Sequence, residues 1–276
     1  MATGYNNYTP SAPIASKCLE AGRLSLTEAS HNGVHDGKGL PVLRNRMDSR
    51  NYFANFITMK AIVIGGTGAT GRELVRQLVD DSRFREVVAL VRRPFFDGIP
   101  KLREIVVDFE NLEVEREHIQ GDVAFSCLGT TLKDAGSKGA QWRVDHDYQL
   151  KFAALARDQG IPAFVLLSAA GAGASSLFFY SKMKGVLESN VRALGFSQLT
   201  VIRPGAIDRP ATTRVGEKRM VEFLKWINQI GLFRRYEAVS TARLAQAMIK
   251  AYFAFPKQFK IVDLSTIRQL TSEAGQ

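Results

Sequence analysis

The sequence predicts an α/β fold: one domain built on a doubly wound, mostly parallel sheet. Three observations predict it. Short apolar runs alternate with segments of helical period from Ala61 onward. The first run meets a glycine cluster and is followed at once by a helix-like segment, giving the order strand, tight turn, helix. Strands separated by helical patterns form βαβ units, whose crossovers place helices on both faces of a parallel sheet.

The elements follow in order. Ala61–Ile64 is the first strand, and it runs into Gly65-Gly-Thr-Gly-Ala-Thr-Gly71. Gly66-x-Gly68-x-x-Gly71 fits the dinucleotide fingerprint, and Gly65-x-x-Gly68-x-x-Gly71 fits its wider-spaced variant. One glycine permits the turn, one lets backbone approach a pyrophosphate, and one lets helix and strand pack closely. The helix N-terminus then offers free N–H groups and a positive dipole end to phosphate. Gly65, Thr67, Gly68, Ala69, Thr70 and Gly71 are therefore expected to contact a cofactor. Leu74, Val75, Leu78 and Val79 form the apolar stripe of the helix over 72–79. Strands are expected at 86–91, 105–107 and 122–128, then a long helix over 141–159 with Gly160 as its stop. A strand at 163–168, a helix at 180–194, a strand at 199–202, a helix at 241–253 and a strand at 259–264 complete the series. There is no internal repeat of solenoid length.

Residues 1–58 are rich in Ser, Asn, Gly, Thr and Ala and show neither period. With Met59 placed just before the first strand, they read as an upstream extension, disordered and dispensable, ahead of a domain spanning 59–276. A targeting peptide is the alternative, but the segment has no long apolar stretch, and Glu20, Glu28, Asp36 and Asp48 are foreign to a transit peptide. No run approaches a membrane span. The net charge of +10 is scattered rather than striped, which argues for a solvated basic surface and against a nucleic-acid partner. Two cysteines, Cys18 and Cys127, exclude a disulfide framework, and four isolated histidines have no metal-ligand spacing. A reducing, cytoplasmic location is expected.

The residues that carry chemistry stand at or just after strand ends, where open parallel sheets bind ligands. Arg92 and Arg93 end the second strand, with no carboxylate there for a ribose 2′-hydroxyl. An arginine at this place accommodates a 2′-phosphate, so NADP(H) is expected over NAD(H). Asp108 and Phe109 end the third strand. Asp108 could accept from the adenine amine while Phe109 packs near the base, though an acid there could equally cap a turn. Leu128, Gly129, Thr130 and Thr131 end the fourth, Gly129 for close backbone approach and the threonines as donors to phosphate or ribose. Cys127 reads as a small apolar residue. Ser168 ends the fifth strand and Tyr180-x-x-x-Lys184 follows on a helix, where residues four apart share a face. A free phenol ionises near about 10, and a neighbouring ammonium favours its phenolate, which suits acid–base work. Ser168 could hold the oxygen undergoing reaction. Arg203, Pro204 and Gly205 end the sixth strand and would line the nicotinamide side, with a structural ion pair the equal alternative for Arg203. Residues 207–236 are expected to form a small substrate-binding region. Phe178, Phe179, Phe223 and Trp226 could line an apolar pocket, but at their spacing ordinary packing is the simpler reading.

These motifs occur in order over 61–205, together with Val144-Asp145-x-Asp147-Tyr148, and in this the chain resembles the atypical short-chain dehydrogenase/reductases. It is most similar to their Tat-interacting-protein group of NADPH-binding oxidoreductases. The resemblance implies a single Rossmann domain, bound NADP(H), and Ser168, Tyr180 and Lys184 as catalytic triad. It implies no particular substrate, and it admits members that act as regulators of other proteins. An NADPH-dependent reductase of a small carbonyl compound, or the reverse alcohol oxidation, is the expected activity. The alternative is a non-catalytic NADPH sensor acting through a protein partner.

Overall fold

The computed structural model describes residues 58–208 and 238–272, all within one compact unit. Of the expected extension only Thr58, and of the expected substrate-binding region only Ile207 and Asp208, fall among them; Phe223 and Trp226 lie outside the described residues.

The strands carry apolar side chains on both faces, as strands covered on two sides must. In β1 (Met59–Ile64), Ala61 and Val63 enter one core while Ile62 and Ile64 enter the other. β1 pairs in parallel with β2 (Phe84–Val91) on one side and β4 (Val123–Ser126) on the other, Ala61 standing opposite Val87 and Val123. β3 (Leu102–Val106) lies beyond β2. β5 (Ala163–Leu167), β6 (Gln198–Ile202) and β9 (Phe259–Val262) continue beyond β4. The sheet is seven-stranded in the order β3-β2-β1-β4-β5-β6-β9, so the order reverses between β1 and β4. β7 (Ile207–Asp208) and β8 (Val239–Ser240) form a separate short parallel pair.

One face is covered by α1 (Ala69–Asp80) and a later helix over Thr241–Ala254. Leu74, Val75 and Leu78 meet Leu244 and Met248 in that core, and Gln77 Nε2 donates to the Ala242 carbonyl at 2.9 Å. On the other face Phe152, Ala153 and Ala156 pack with Leu187 and Val191, from the helices over Tyr148–Asp158 and Phe179–Ala193. Phe109 and Leu112 join them from short helical turns over Phe109–His118, kinked at Asn111.

The expected helix over 141–159 is instead a broken run. It begins earlier, as α2 (Leu132–Ala135) and α3 (Lys138–Trp142), passes through a π-helical turn at Arg143–Asp147, and only then becomes α4 (Tyr148–Asp158). Thr131 Oγ1 and Ser137 Oγ cap the first two pieces, accepting from the Asp134 and Ala140 amides. Its end agrees with expectation: Gly160 is left-handed (φ 80), and the Gly160 and Ile161 amides return to the Arg157 and Ala156 carbonyls. α5 (Phe179–Ala193) and α6 (Thr241–Ala254) match their expected positions within a residue or so. The last strand ends at Val262 because Asp263 caps a further helix, α7 (Leu264–Ser272), which the sequence did not suggest. Phe178, read as a packing residue, stands just before α5 and is 79% exposed.

Candidate active site

The site begins with backbone meeting backbone at the reversal of strand order. Gly65 is left-handed (φ +75), and a Cβ there would lie 2.5 Å from the Cys127 carbonyl carbon. At Gly71 a Cβ would lie 2.1 Å from the Gly65 oxygen, so only glycine lets α1 start against the end of β1. The Gly68 amide closes the turn on the Gly65 carbonyl at 3.0 Å. Gly68 is the cap of α1 and brings no side chain to its first amides. A cradle that Cβ atoms would fill, opening on an uncapped helix N-terminus, fits a dinucleotide pyrophosphate.

A cleft of about 280 Å³ opens over this turn. Gly65, Thr67 and Gly68 form its floor, Arg92 its β2 side, and Leu128, Gly129 and Thr130 its β4 side, with Phe109, Val144 and Tyr148 completing the wall. Arg93 is exposed beside it. Ala69, Thr70 and Gly71 form the first turn of α1. Asp108 is exposed and bonded to its own loop. Its carboxylate accepts the Glu110 amide at 2.9 Å and the Asn111 side chain at 2.7 Å, and these bonds hold it below the usual carboxylate range. Phe109 stacks on Tyr148 with ring centroids 5.6 Å apart. Burial and the Glu110 carboxylate, which accepts the phenol proton at 2.5 Å, push Tyr148 up to about 12.

Beyond β4 the chain enters a buried polar cluster. Burial pushes the Cys127 thiol up to about 12, so it is a neutral, unreactive group beside Met248. The Thr130 amide donates to Asp145 Oδ2 at 2.8 Å. Asp145 Oδ1 lies 3.3 Å from Lys184 Nζ, and the two side chains are only 1% and 3% exposed. Burial raises the Asp145 carboxyl above its ordinary value, while the Lys184 ammonium and the Thr130 amide pull it back. Lys184 Nζ is 6.0 Å from the centre of the Tyr180 ring, one helical turn away and 41% exposed. A Cβ on Gly185 would sit 2.2 Å from the Gly173 carbonyl carbon, so this helix packs directly against the loop that follows Ser168.

Ser168 faces another way. Its hydroxyl donates to Glu188, which also takes the Arg203 guanidinium, with Nε at 3.0 Å. Arg203 is thus in the ion pair allowed for it, and with Gly205 it lines a second cavity of about 650 Å³, apart from the glycine cleft. Pro204 accepts the Ala170 amide at 2.9 Å. The structure therefore gathers Gly65, Thr67, Gly68, Arg92, Phe109, Leu128, Gly129 and Thr130 around one cleft, leaves Arg93, Asp108 and Thr131 out of its lining, and brings Ser168 and Arg203 together at Glu188. The sequence singles out Asp145 only within the Val144-Asp145-x-Asp147-Tyr148 motif, without a role, and does not single out Glu188. Glu188 had a legible signal, since Tyr180, Lys184 and Glu188 follow at steps of four along one helix face. Asp145 had only its motif, because a π-helical turn breaks the period that would have placed it on a helix face. Among the described residues no His, Cys, Asp or Glu cluster could hold a metal ion, and no helix is long and apolar enough to cross a membrane.

Residues 65–252 match the family model described as NAD(P)H-binding. The chain is 40% identical over 149 residues to Protein HTATIP2 of Rattus norvegicus, a match covering 52% of this chain and 61% of that protein. It is 37% identical over 175 residues to Protein FMP52, mitochondrial, of Debaryomyces hansenii, covering 62% of this chain and 76% of that protein. Among solved structures it resembles the Bordetella bronchiseptica enzyme WbmH in complex with NAD⁺, with a TM-score of 0.58 at 15% identity over 78% of this chain and 80% of that one. That likeness shows the fold. The fungal relatives correct one expectation: proteins of Debaryomyces hansenii, Eremothecium gossypii, Saccharomyces cerevisiae and Meyerozyma guilliermondii are all named mitochondrial, which overturns the cytoplasmic location. The expectation rested on a low cysteine count, which names no compartment.

Proposed function

The chain belongs to the NAD(P)H-binding family, among the atypical short-chain dehydrogenase/reductases of the Tat-interacting-protein type, and from that membership we propose that it is an NADPH-dependent oxidoreductase reducing a small carbonyl compound. NADPH, when bound, supplies the hydride. The chain supplies position, charge and a proton. The first turn of α1 and the backbone of Thr67 and Gly68 hold the pyrophosphate, and Arg92 takes the 2′-phosphate. Tyr180 gives its phenolic proton to the substrate oxygen as the adjacent carbon takes the hydride. Lys184 stabilises the phenolate left behind and holds the nicotinamide ribose. Ser168 would fix the reacting oxygen, and to donate to a carbonyl its hydroxyl must first turn away from Glu188.

The observation that carries this reading is the Lys184 ammonium buried 6.0 Å from the Tyr180 ring, beside the cofactor cleft. The assay is NADPH oxidation with a panel of small aldehydes, ketones and quinones. Tyr180→Phe is expected to leave NADPH affinity nearly intact and to cut turnover by about 10²-fold or more, the scale of losing a positioned proton donor. Ser168→Ala should behave similarly, whereas Lys184→Ala should damage both binding and turnover. One observation favours the second reading, an NADPH-binding regulator. Leu177 and Phe178, just before Tyr180, are 100% and 79% exposed and offer an apolar pair to a protein partner. If no carbonyl is reduced and Tyr180→Phe leaves the cellular role unchanged, the regulator replaces the enzyme.

A further inference from the structure

The buried pair of Asp145 and Lys184 calls for a physical reason. Taking a carboxylate and an ammonium out of water costs several kcal/mol per ion, of order what their attraction returns, so apolar residues of similar volume would stabilise the fold as well or better. The reason lies in what else Asp145 holds. Its Oδ2 takes the Thr130 amide at 2.8 Å, and Thr130 is part of the wall of the cofactor cleft. Its Oδ1 stands 3.3 Å from Lys184 Nζ, a close contact of opposite charges. Its own backbone is fixed as well. Gln149 Nε2 donates to the Asp145 carbonyl at 2.7 Å, and Ser126 Oγ, on β4, donates to Gln149 Oε1 at 2.8 Å. The π-helical turn at Arg143–Asp147 completes the arrangement, for it brings Val144 to the cleft and buries Asp145 beside it.

We propose that Asp145 is a positioning residue that ties Lys184 to the β4 side of the cofactor cleft, so that the ammonium and the Gly129–Thr130 backbone reach the cofactor as one rigid unit. This rests on the reading of Lys184 as a cofactor-holding residue. Asp145 touches neither cofactor nor substrate in this role and acts through Lys184.

A double-mutant cycle on NADPH affinity tests it, with calorimetry on the full chain and no dependence on turnover. Asp145→Asn keeps the shape and an acceptor for Thr130 while removing the charge. It should weaken NADPH binding about tenfold, the coupling expected of residues in direct contact, and by less than about twofold once Lys184 is already Met. An equal loss in both backgrounds would mean that Asp145 acts through the loop alone and would overturn the proposal. So would no loss in either. If Lys184→Met weakens binding while Asp145→Asn does not, the cofactor role of Lys184 stands and that of Asp145 falls. If Lys184→Met itself leaves affinity unchanged, both fall. Melting temperatures without cofactor give the second readout. Asp145→Asn should lower the midpoint by leaving an ammonium buried without its partner, and the double variant should recover part of the loss. A cycle visible in melting but absent from affinity would make the pair structural only and sink the idea. Should Asp145→Asn fail to fold alone, Asp145→Asn/Lys184→Met compared with Lys184→Met still decides, because a tenfold further loss of affinity there contradicts action through Lys184.

Discussion

Arg92 ends β2 with its guanidinium exposed in the cleft wall and with no carboxylate at that strand end to compete for it. On the proposed reading, a cofactor bearing a 2′-phosphate would gain a charge-assisted contact there that its unphosphorylated counterpart lacks. NADPH is therefore expected to bind at least about tenfold tighter than NADH, a discrimination of about 1.4 kcal/mol. Arg92→Glu should reverse the preference, and calorimetry giving the parent protein equal affinities would refute this account. Arg92 could be read from the sequence because its place is defined by the strand it ends. The glycines were legible for the same reason: three close backbone contacts demand them at fixed spacing, and the collisions a Cβ would make at Gly65 and Gly71 are the physical content of that spacing. Asp145 and Glu188 were legible only in part: Asp145 stood inside the Val144-Asp145-x-Asp147-Tyr148 motif without a role, and Glu188 showed only its step of four from Lys184. Their roles depend on partners from other segments, Thr130 and Lys184 for one, Ser168 and Arg203 for the other, and no local pattern announces a buried charge that has found its partner.

Helices and strands were legible where one face is apolar at a steady period and obscure where the period is broken. β1, α1, α5 and α6 lie close to their expected places. The run from Leu132 to Asp158 marks one break with the left-handed Gly136 and the cap Ser137, and hides the other because neither proline nor glycine stands at the π-helical turn, where Asp145 is buried and Gln149 donates to its carbonyl. α7 was missed because Asp263 is an inconspicuous signal for a large effect. Its Oδ1 accepts the Thr266 amide at 2.9 Å, the Ser265 hydroxyl at 2.7 Å and the Thr266 hydroxyl at 2.8 Å. These bonds, the Thr266 amide foremost, hold the carboxyl below the usual range. A carboxylate whose folded value is lowered stabilises fully above its unfolded value of 3.8, and the benefit is lost as pH falls through the lowered one. Asp263→Ala should cost about 1 kcal/mol near neutral pH, the usual scale for losing an N-terminal cap. Melting curves of parent and variant should converge as pH drops below the ordinary carboxylate range. A gap that persists undiminished in strong acid would show that the loss is one of packing and not of the charged cap.

At the scale of the molecule, the alternation of strands and helices predicted a parallel sheet, and the order β3-β2-β1-β4-β5-β6-β9 is what right-handed crossovers on both faces produce. The basic surplus of +10 gave no comparable guide, since charge is spread over a surface and carries no topology. The reversal of order between β1 and β4 has a consequence for how the protein is made. The strands β1, β2 and β3 are synthesised first and can pair among themselves, yet half the walls of the cleft, from Leu128 to Thr130 and on to Tyr148, belong to the later half. The nascent chain therefore has no nucleotide site until β4 docks along β1. A nucleotide held in the cleft as proposed would then span the join between early and late halves and act as a strut across it. At a hundredfold excess over Kd such a ligand opposes separation by about 2.7 kcal/mol. Hydrogen exchange should then slow most along β1 and β4 on adding NADPH, with β3 and β9 little changed. Protection confined to the glycine turn would mean that the two halves are held together without the cofactor's help. Where the strut is needed, scarcity of the dinucleotide would be felt as slow completion of newly made chains, before any shortage of reducing power is felt in a reaction.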